Sequence, residues 1–224
     1  MKLTKRQKTW ANLDTEKVYS LSDAIETLRG YTSKKFDESL EIAIKLGIDI
    51  TKADQNIRGM LSLPNGTGKT VRVAVFTVNS ADEATKAGAD IVGGEDLIEK
   101  VAGGEINFDR VIATPDMMPK MSKIARILGP KGLMPNPKLG TVTNNVAEAV
   151  KTAKAGQIEY RAEKKGIIHA GIGKMSFNTD QLVENANALI DQLKKVKPSS
   201  TKGQYILGAS VATTQGPGLK VDVK

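Results

Sequence analysis

The hydrophobic period of this chain changes along its length, and few folds accommodate that change. Over residues 39–46, Leu40, Ile42, Ile44 and Leu46 alternate with Ser39, Glu41, Ala43 and Lys45. Alternation of this kind describes a strand with one buried face and one open face. Over residues 71–78 the pattern differs: Val71, Val73, Ala74, Val75, Phe76 and Val78 form a nearly continuous apolar run. That is the habit of a strand covered on both faces of a parallel sheet. Alternation returns in residues 157–162 and 166–173, joined by a turn around Lys164, Lys165 and Gly166. Two last strands are expected over 204–213 and 219–223. The two ends of the chain share one habit and its middle has another.

The remaining elements fit that division. Residues 22–31 read as a short helix with Ser22 as N-cap, Ala24, Ile25 and Leu28 at helical spacing, and Gly30 near its end. A strand is expected over 57–63, closed by Pro64. In the middle, helical segments 81–87, 95–101 and 117–128 alternate with strands 71–78, 89–92 and 111–114, the order of a small doubly wound α/β domain. Another helix follows at 147–153. Residues 179–196 form the longest helix, with Leu182, Val183, Ala186, Leu189, Ile190 and Leu193 on one stripe and Pro198 as its stop. The simplest arrangement is a discontinuous α+β sandwich of residues 1–66 and 156–224, interrupted by an α/β domain of residues 67–155. Gly66, Gly68 and Gly156 stand at the two crossings, where they supply the dihedral freedom of an expected hinge.

Composition narrows the function. The 224 residues are comfortable for two domains, and 33 Lys plus Arg against 25 Asp plus Glu leave a net charge of +8. That balance favours a polyanionic partner. Aromatic residues make up only 4%, too few for wide base-stacking platforms. The absence of Cys excludes disulfides, thiolate metal sites and Cys nucleophiles, and suits a reducing compartment. No stretch approaches the roughly 20 apolar residues that span a bilayer. The N-terminal Lys2, Lys5, Arg6 and Lys8 have no apolar core behind them, so they are not a signal peptide. They are either a solvated face or an arm touching phosphate. The middle segment is itself polarised, with nine acids and three bases over residues 82–116. Residues 117–147 carry five bases, Lys120, Lys123, Arg126, Lys131 and Lys138, and no acid. A stretch of one sign is expected to form a phosphate-facing surface.

Nothing assembles into a catalytic constellation. Gly66-Thr67-Gly68-Lys69-Thr70 invites a phosphate-loop reading, and a nucleotide hydrolase is the enzymatic alternative. The full motif needs a Gly where Leu63 stands, and such a loop enters a helix rather than the apolar strand expected here. A linker fits better. His169 is the single histidine and reads as a structural imidazole within a strand; one His without Cys makes a poor metal site. Glu95 and Asp96 are adjacent on a helix surface, pointing in different directions, and read as a solvated face. No cofactor and no metal is expected. A generic basic RNA chaperone is the other alternative.

Residues 129–140 hold three Gly and three Pro and cannot be helical. The prolines pre-set a rigid loop that Leu133, Met134 and Leu139 pin to a core, presenting Lys131 and Lys138. Within it, Gly129-Pro130-Lys131-Gly132-Leu133-Met134-Pro135-Asn136-Pro137-Lys138 closely resembles the signature of the bacterial ribosomal protein L-one family, the protein of the mobile stalk of the large ribosomal subunit. Other blocks resemble that family in order: Lys34-Lys35-Phe36-Asp37-Glu38-Ser39-Leu40-Glu41, Leu46-Gly47-Ile48-Asp49, Asp54-Gln55-Asn56-Ile57-Arg58-Gly59, Ala87-Gly88-Ala89-Asp90, Ala113-Thr114-Pro115-Asp116 and Thr214-Gln215-Gly216-Pro217. The resemblance covers essentially the whole chain.

The resemblance implies a split β-α-β sandwich interrupted by a Rossmann-like three-layer α/β domain. It implies a non-enzymatic, cytoplasmic ribosomal protein that binds the stalk of large-subunit, 23S-type rRNA alongside other ribosomal components. It further implies a role in releasing tRNA from the exit site, repression of its own operon through mRNA that mimics the ribosomal site, no membrane partner, and a monomer when free. The rRNA and mRNA contacts carry over onto Lys35, Phe36, Ser39, Glu41, Thr214, Gln215 and Gly216; Lys131 and Lys138 are the basic surface facing tRNA. Gln215 stands where the family usually has Met, and Gly208 where a relative has Ser. The chemistry suits RNA, which displays 2′-hydroxyls and base edges in its shallow minor groove. Ser39 and Thr214 exchange hydrogen bonds with such groups, Glu41 accepts them, Gly216 admits close backbone approach, and Phe36 offers an apolar face. Lys residues supply the salt-dependent phosphate contribution.

Overall fold

The structure is a computed structural model that describes residues 4–33 and 35–223; Lys2 and Lys34, named above, lie outside them. In chain order the elements are β1 (Val18–Tyr19), α1 (Leu21–Arg29), β2 (Ser39–Leu46), β3 (Arg58–Ser62), β4 (Val73–Phe76), α2 (Ala81–Lys86), β5 (Ile91–Gly93), α3 (Glu95–Ala102) and β6 (Arg110–Ala113). They continue with α4 (Met118–Met121), α5 (Ala125–Leu128), α6 (Val146–Lys154), β7 (Gln157–Arg161), β8 (Ile167–Lys174), α7 (Thr179–Lys195), β9 (Ile206–Thr213) and β10 (Gly218–Val221). Two compact units result: Met1–Gly68 with Ile158–Lys224, and Lys69–Gln157.

In the first unit β1, β10, β9, β2 and β8 form a five-stranded sheet in that order, antiparallel except where β1 meets β10, and β3 pairs with β7. The even-numbered side chains of β2 are buried, and they pack with Ile25 and Leu28 of α1 and Leu182, Ala186, Leu189 and Leu193 of α7. The odd-numbered side chains are exposed or half-buried, so the sheet carries its helices on one face. Helix α1 starts two residues earlier than a cap at Ser22 would set it, because the N-cap is Ser20: its hydroxyl accepts from the Asp23 N–H at 3.1 Å.

The unit boundaries fall just past the expected crossings at 66/67 and 155/156. Residues 65 and 66 are tied into the first unit by Asn185 of α7, whose Oδ1 accepts from the Asn65 N–H at 3.1 Å and whose Nδ2 donates to the Gly66 carbonyl at 3.0 Å. Gly68, at φ 69°, lies so close to the Phe177 ring that a Cβ would sit 3.0 Å from it. Gly66 and Gly156 also have positive φ, 67° and 92°.

The second unit is a three-layer α/β fold. The parallel strands lie in the order β5-β4-β6, and all four residues of β4 are buried. Val73, Val75 and Ile112 pack toward Ala84 of α2 and Val146 and Val150 of α6. Ala74, Phe76 and Val111 face Leu97, Ile98 and Val101 of α3 and the helical run that follows β6. That run was expected as one helix over 117–128; it is instead a series of short turns, a 3₁₀ turn at Pro115–Met117 before α4 and another at Ser122–Ile124 between α4 and α5. Pro115 and Pro119 each stand in the first turn of their segment, where a missing N–H costs nothing. Met117, Met121, Ile124 and Leu128 nevertheless remain fully buried, so the helical stripe survives the broken ladder.

Candidate nucleic-acid interface

Antiparallel pairing of β2 with β9 brings the two ends of the chain together at one corner of the sheet. Leu40 is opposite Thr213 and Glu41 opposite Ala212. Beyond the last pair, the Thr214 N–H donates to the Ser39 carbonyl at 3.1 Å, and the Thr214 Oγ accepts from the Ser39 N–H at 2.9 Å. The Thr214 hydroxyl thus holds the two chain segments in register, a use the sequence did not reveal. A turn follows, with the Gly216 N–H donating to the Thr213 carbonyl at 3.1 Å. A Cβ on Gly216 would meet the Thr213 Oγ at 2.2 Å, so this position is built for Gly. Glu41, Thr214 and Gln215 are exposed and Ser39 and Gly216 half-buried; Lys35 and Phe36, both exposed, enter the same corner two to three residues ahead of Glu38. All seven expected contact residues therefore belong to one unit.

Beneath them lies a group that the sequence reading missed. The Glu38 side chain is fully buried and accepts from the Ser33 N–H at 2.7 Å, the Gln215 N–H at 3.2 Å and Arg6 Nη2 at 2.5 Å. Burial opposes its ionisation, but the Ser33 N–H, the nearby Thr213 hydroxyl, Arg6 and the Gln215 N–H outweigh it and hold the carboxyl below its ordinary 4.5. Carrying the β2 alternation one step back would have flagged Glu38, since it has the buried parity of Leu40 and Ile42.

Across the sheet the open face mixes small side chains with Glu41, His169 and Lys220. One row runs Gly171, Glu41, Ala212, Gly218 over β8, β2, β9 and β10; the next runs His169, Ala43, Ser210, Lys220. Gly171, Gly208 and Gly218 face open space, so the sheet can be approached closely there. A concavity of about 920 Å³ lies along this face, lined in part by Lys45, His169, Ser210 and Lys220. His169 is not the structural imidazole expected: its side chain is 55% exposed, with Nε2 3.8 Å from Glu163 Oε2. Its strand position, with the odd parity of the open residues, follows from its pairing with Ala43.

In the second unit, Leu139 is buried and Leu133 and Met134 pack against the core, leaving Lys131 and Lys138 exposed. Asn136 shapes the loop, its Oδ1 accepting from the Lys138 N–H at 2.9 Å and its N–H donating to Thr141 Oγ at 2.8 Å. The one-sign character of 117–147 does not survive folding: Lys120 Nζ lies 2.5 Å from Glu95 Oε1 on α3. Residues 66–70 lead into β4 without an intervening helix, so they lack the helix N-terminus on which a phosphate loop depends.

Among the described residues no helix is long and apolar enough to cross a membrane. The family model of the Ribosomal protein L1p/L10e family matches residues 28–217, which include β2, β9 and the turn at 214–216 as well as the whole second unit. That family is one of structural ribosomal proteins rather than enzymes. The chain belongs to the Ribosomal protein L1p/L10e family, and is thus a protein of the large ribosomal subunit that binds rRNA.

Proposed function

We propose that the corner formed by Lys35, Phe36, Ser39, Glu41, Thr214, Gln215 and Gly216 is the seat of the rRNA, and that the RNA is the folded stalk of the large subunit. The observation that carries this reading is the convergence of those residues, from chain segments about 175 positions apart, on one register-locked corner. Hydroxyl, carboxylate and amide groups there offer both donors and acceptors to 2′-hydroxyls and base edges, while Lys35 meets phosphate. The small residues on the face beside the corner let a wide, shallow RNA groove come close.

Two further roles belong to this proposal. The same corner takes the chain's own mRNA where that message folds like the stalk, which makes the free monomer a repressor of its operon. In the second unit Lys131 and Lys138, held out by a proline-fixed loop, meet tRNA as it leaves the exit site. The glycines at 66, 68 and 156, all of positive φ, are proposed as the points that permit the stalk to move.

The test is competition between a stalk RNA fragment and unrelated structured RNA across a range of salt. The stalk fragment should win at every salt concentration, and Phe36→Ala should weaken it by about 1–3 kcal/mol without altering the salt slope. Equal affinity for both RNAs would leave only a generic basic binder. Lys131→Glu with Lys138→Glu should leave stalk affinity unchanged while altering tRNA release from assembled subunits.

A further inference from the structure

Arg6 reaches the candidate interface from the N-terminal segment, 32 residues ahead of Glu38 and 209 ahead of Gln215. Its guanidinium forks. Nη2 donates to the buried Glu38 carboxylate at 2.5 Å, and Nη1 donates to Gln215 Oε1. The group also lies 5.9 Å from the centroid of the Trp10 ring, and Trp10 packs edge-on to Tyr31 with centroids 6.5 Å apart. Arg6 is therefore held from three sides and only 31% exposed.

The chemistry of the fork settles the orientation of Gln215. Arg has donors and no acceptor, so the amide atom facing it must be the carbonyl oxygen. With Oε1 engaged, the Nε2 group is turned the other way and presents two N–H donors from an exposed side chain. The Glu38 carboxylate anchors both partners, taking Arg6 on one oxygen and the Gln215 backbone N–H on the other.

We infer that Arg6 is a positioning residue that fixes Gln215 as a hydrogen-bond donor, and that Gln215 reads an acceptor atom of the RNA, a base carbonyl or ring nitrogen or a 2′-hydroxyl oxygen. This rests on the rRNA corner proposed above. Arg6 acts through Gln215 and Glu38 rather than by touching phosphate. A free Gln side chain would lose rotamer entropy on binding and could offer either end of its amide; the pre-set one loses less and offers donors only.

The experiment titrates the stalk RNA fragment against the full chain and its variants, reading affinity, salt slope and thermal midpoint. Gln215→Glu keeps an oxygen for Arg6 but removes both donors and should weaken binding by at least about tenfold, since a carboxylate then meets an acceptor. Arg6→Ala should weaken it by about fivefold, the scale of one lost hydrogen bond, with an unchanged salt slope. The pair Arg6→Ala with Gln215→Ala should be no weaker than Gln215→Ala alone. Arg6→Lys keeps a cation for Glu38 but lacks the fork, so it should retain the thermal midpoint while losing affinity. Additive losses, or a salt slope reduced by about one in Arg6→Ala, would make Arg6 a direct phosphate ligand and overturn the inference. So would unchanged or tighter binding by Arg6→Ala. If Phe36→Ala weakens binding while the Arg6 variants do not, this inference fails and the rRNA corner stands; if none of them weakens binding, the corner itself is wrong.

Discussion

Glu38 shows how one buried charge can organise a surface that makes its contacts with other residues. Its carboxylate gathers Arg6, the Ser33 N–H and the Gln215 N–H, and so ties the segment before β2 to the turn after β9. The hydrogen bonds hold its folded pKa below the ordinary 4.5 despite burial. A group depressed in the folded state contributes stability that is present above its unfolded pKa and is lost as pH falls through the folded one. Glu38→Gln should therefore lower stability by about 1–3 kcal/mol at neutral pH, with the difference from the parent shrinking below pH 4.5; denaturant titrations at several pH values would show it. A difference constant across pH would mean that the ionised form is not favoured. At this scale, legibility in the sequence followed strand parity. Ser39 and Glu41 could be placed on the open face because Leu40 and Ile42 are apolar. Glu38 and Arg6 could not be paired, because their contact joins distant segments and leaves no periodic trace. The apolar neighbours Ile168 and Ala170 suggest burial for His169, although alternation places it opposite them, with the open residues.

Among the elements, α7 joins most of the first unit. It opens with the Asn178 N–H donating to Gln181 Oε1 at 3.1 Å and packs Leu182, Ala186, Leu189 and Leu193 against the sheet. Asn185 sits fully buried in that apolar stripe with all its main-chain partners within the unit: the carbonyls of Ile172 and Gly66, and the Asn65 N–H. Replacement by Leu leaves those groups unpaired, and Asn185→Leu should cost on the order of 3 kcal/mol in chemical denaturation. A neutral substitution would mean that residues 65–66 are held by other means. An Asn three residues after Leu182 within a Leu/Ala stripe is a visible sign of this role, one that the apolar period alone does not carry. Long, strongly periodic elements such as β2, β8 and α7 were readable within a residue or two. β1 was not, since two residues carry no period. Over 117–128 the apolar period is legible and the hydrogen bonding is not, because i+3 and i+4 backbone bonding can bury the same stripe of side chains.

At the scale of the whole molecule, topology does what local chemistry cannot. The residues of the proposed rRNA corner come from both ends of the chain, and the β2–β9 pairing joins them although the α/β unit intervenes in the sequence. The change of hydrophobic period made this division legible, because a one-sided sheet and a two-sided sheet demand different sequences. The three-dimensional charge pattern was not legible: Lys120 and Glu95 are distant in sequence and paired in space. The measurement that decides the proposed seat of the rRNA is ultraviolet crosslinking of the stalk RNA fragment to the full chain, followed by peptide mapping. Crosslinks should fall on the segments around Phe36 and residues 214–216. Crosslinks confined to peptides from Lys69–Gln157 would contradict it.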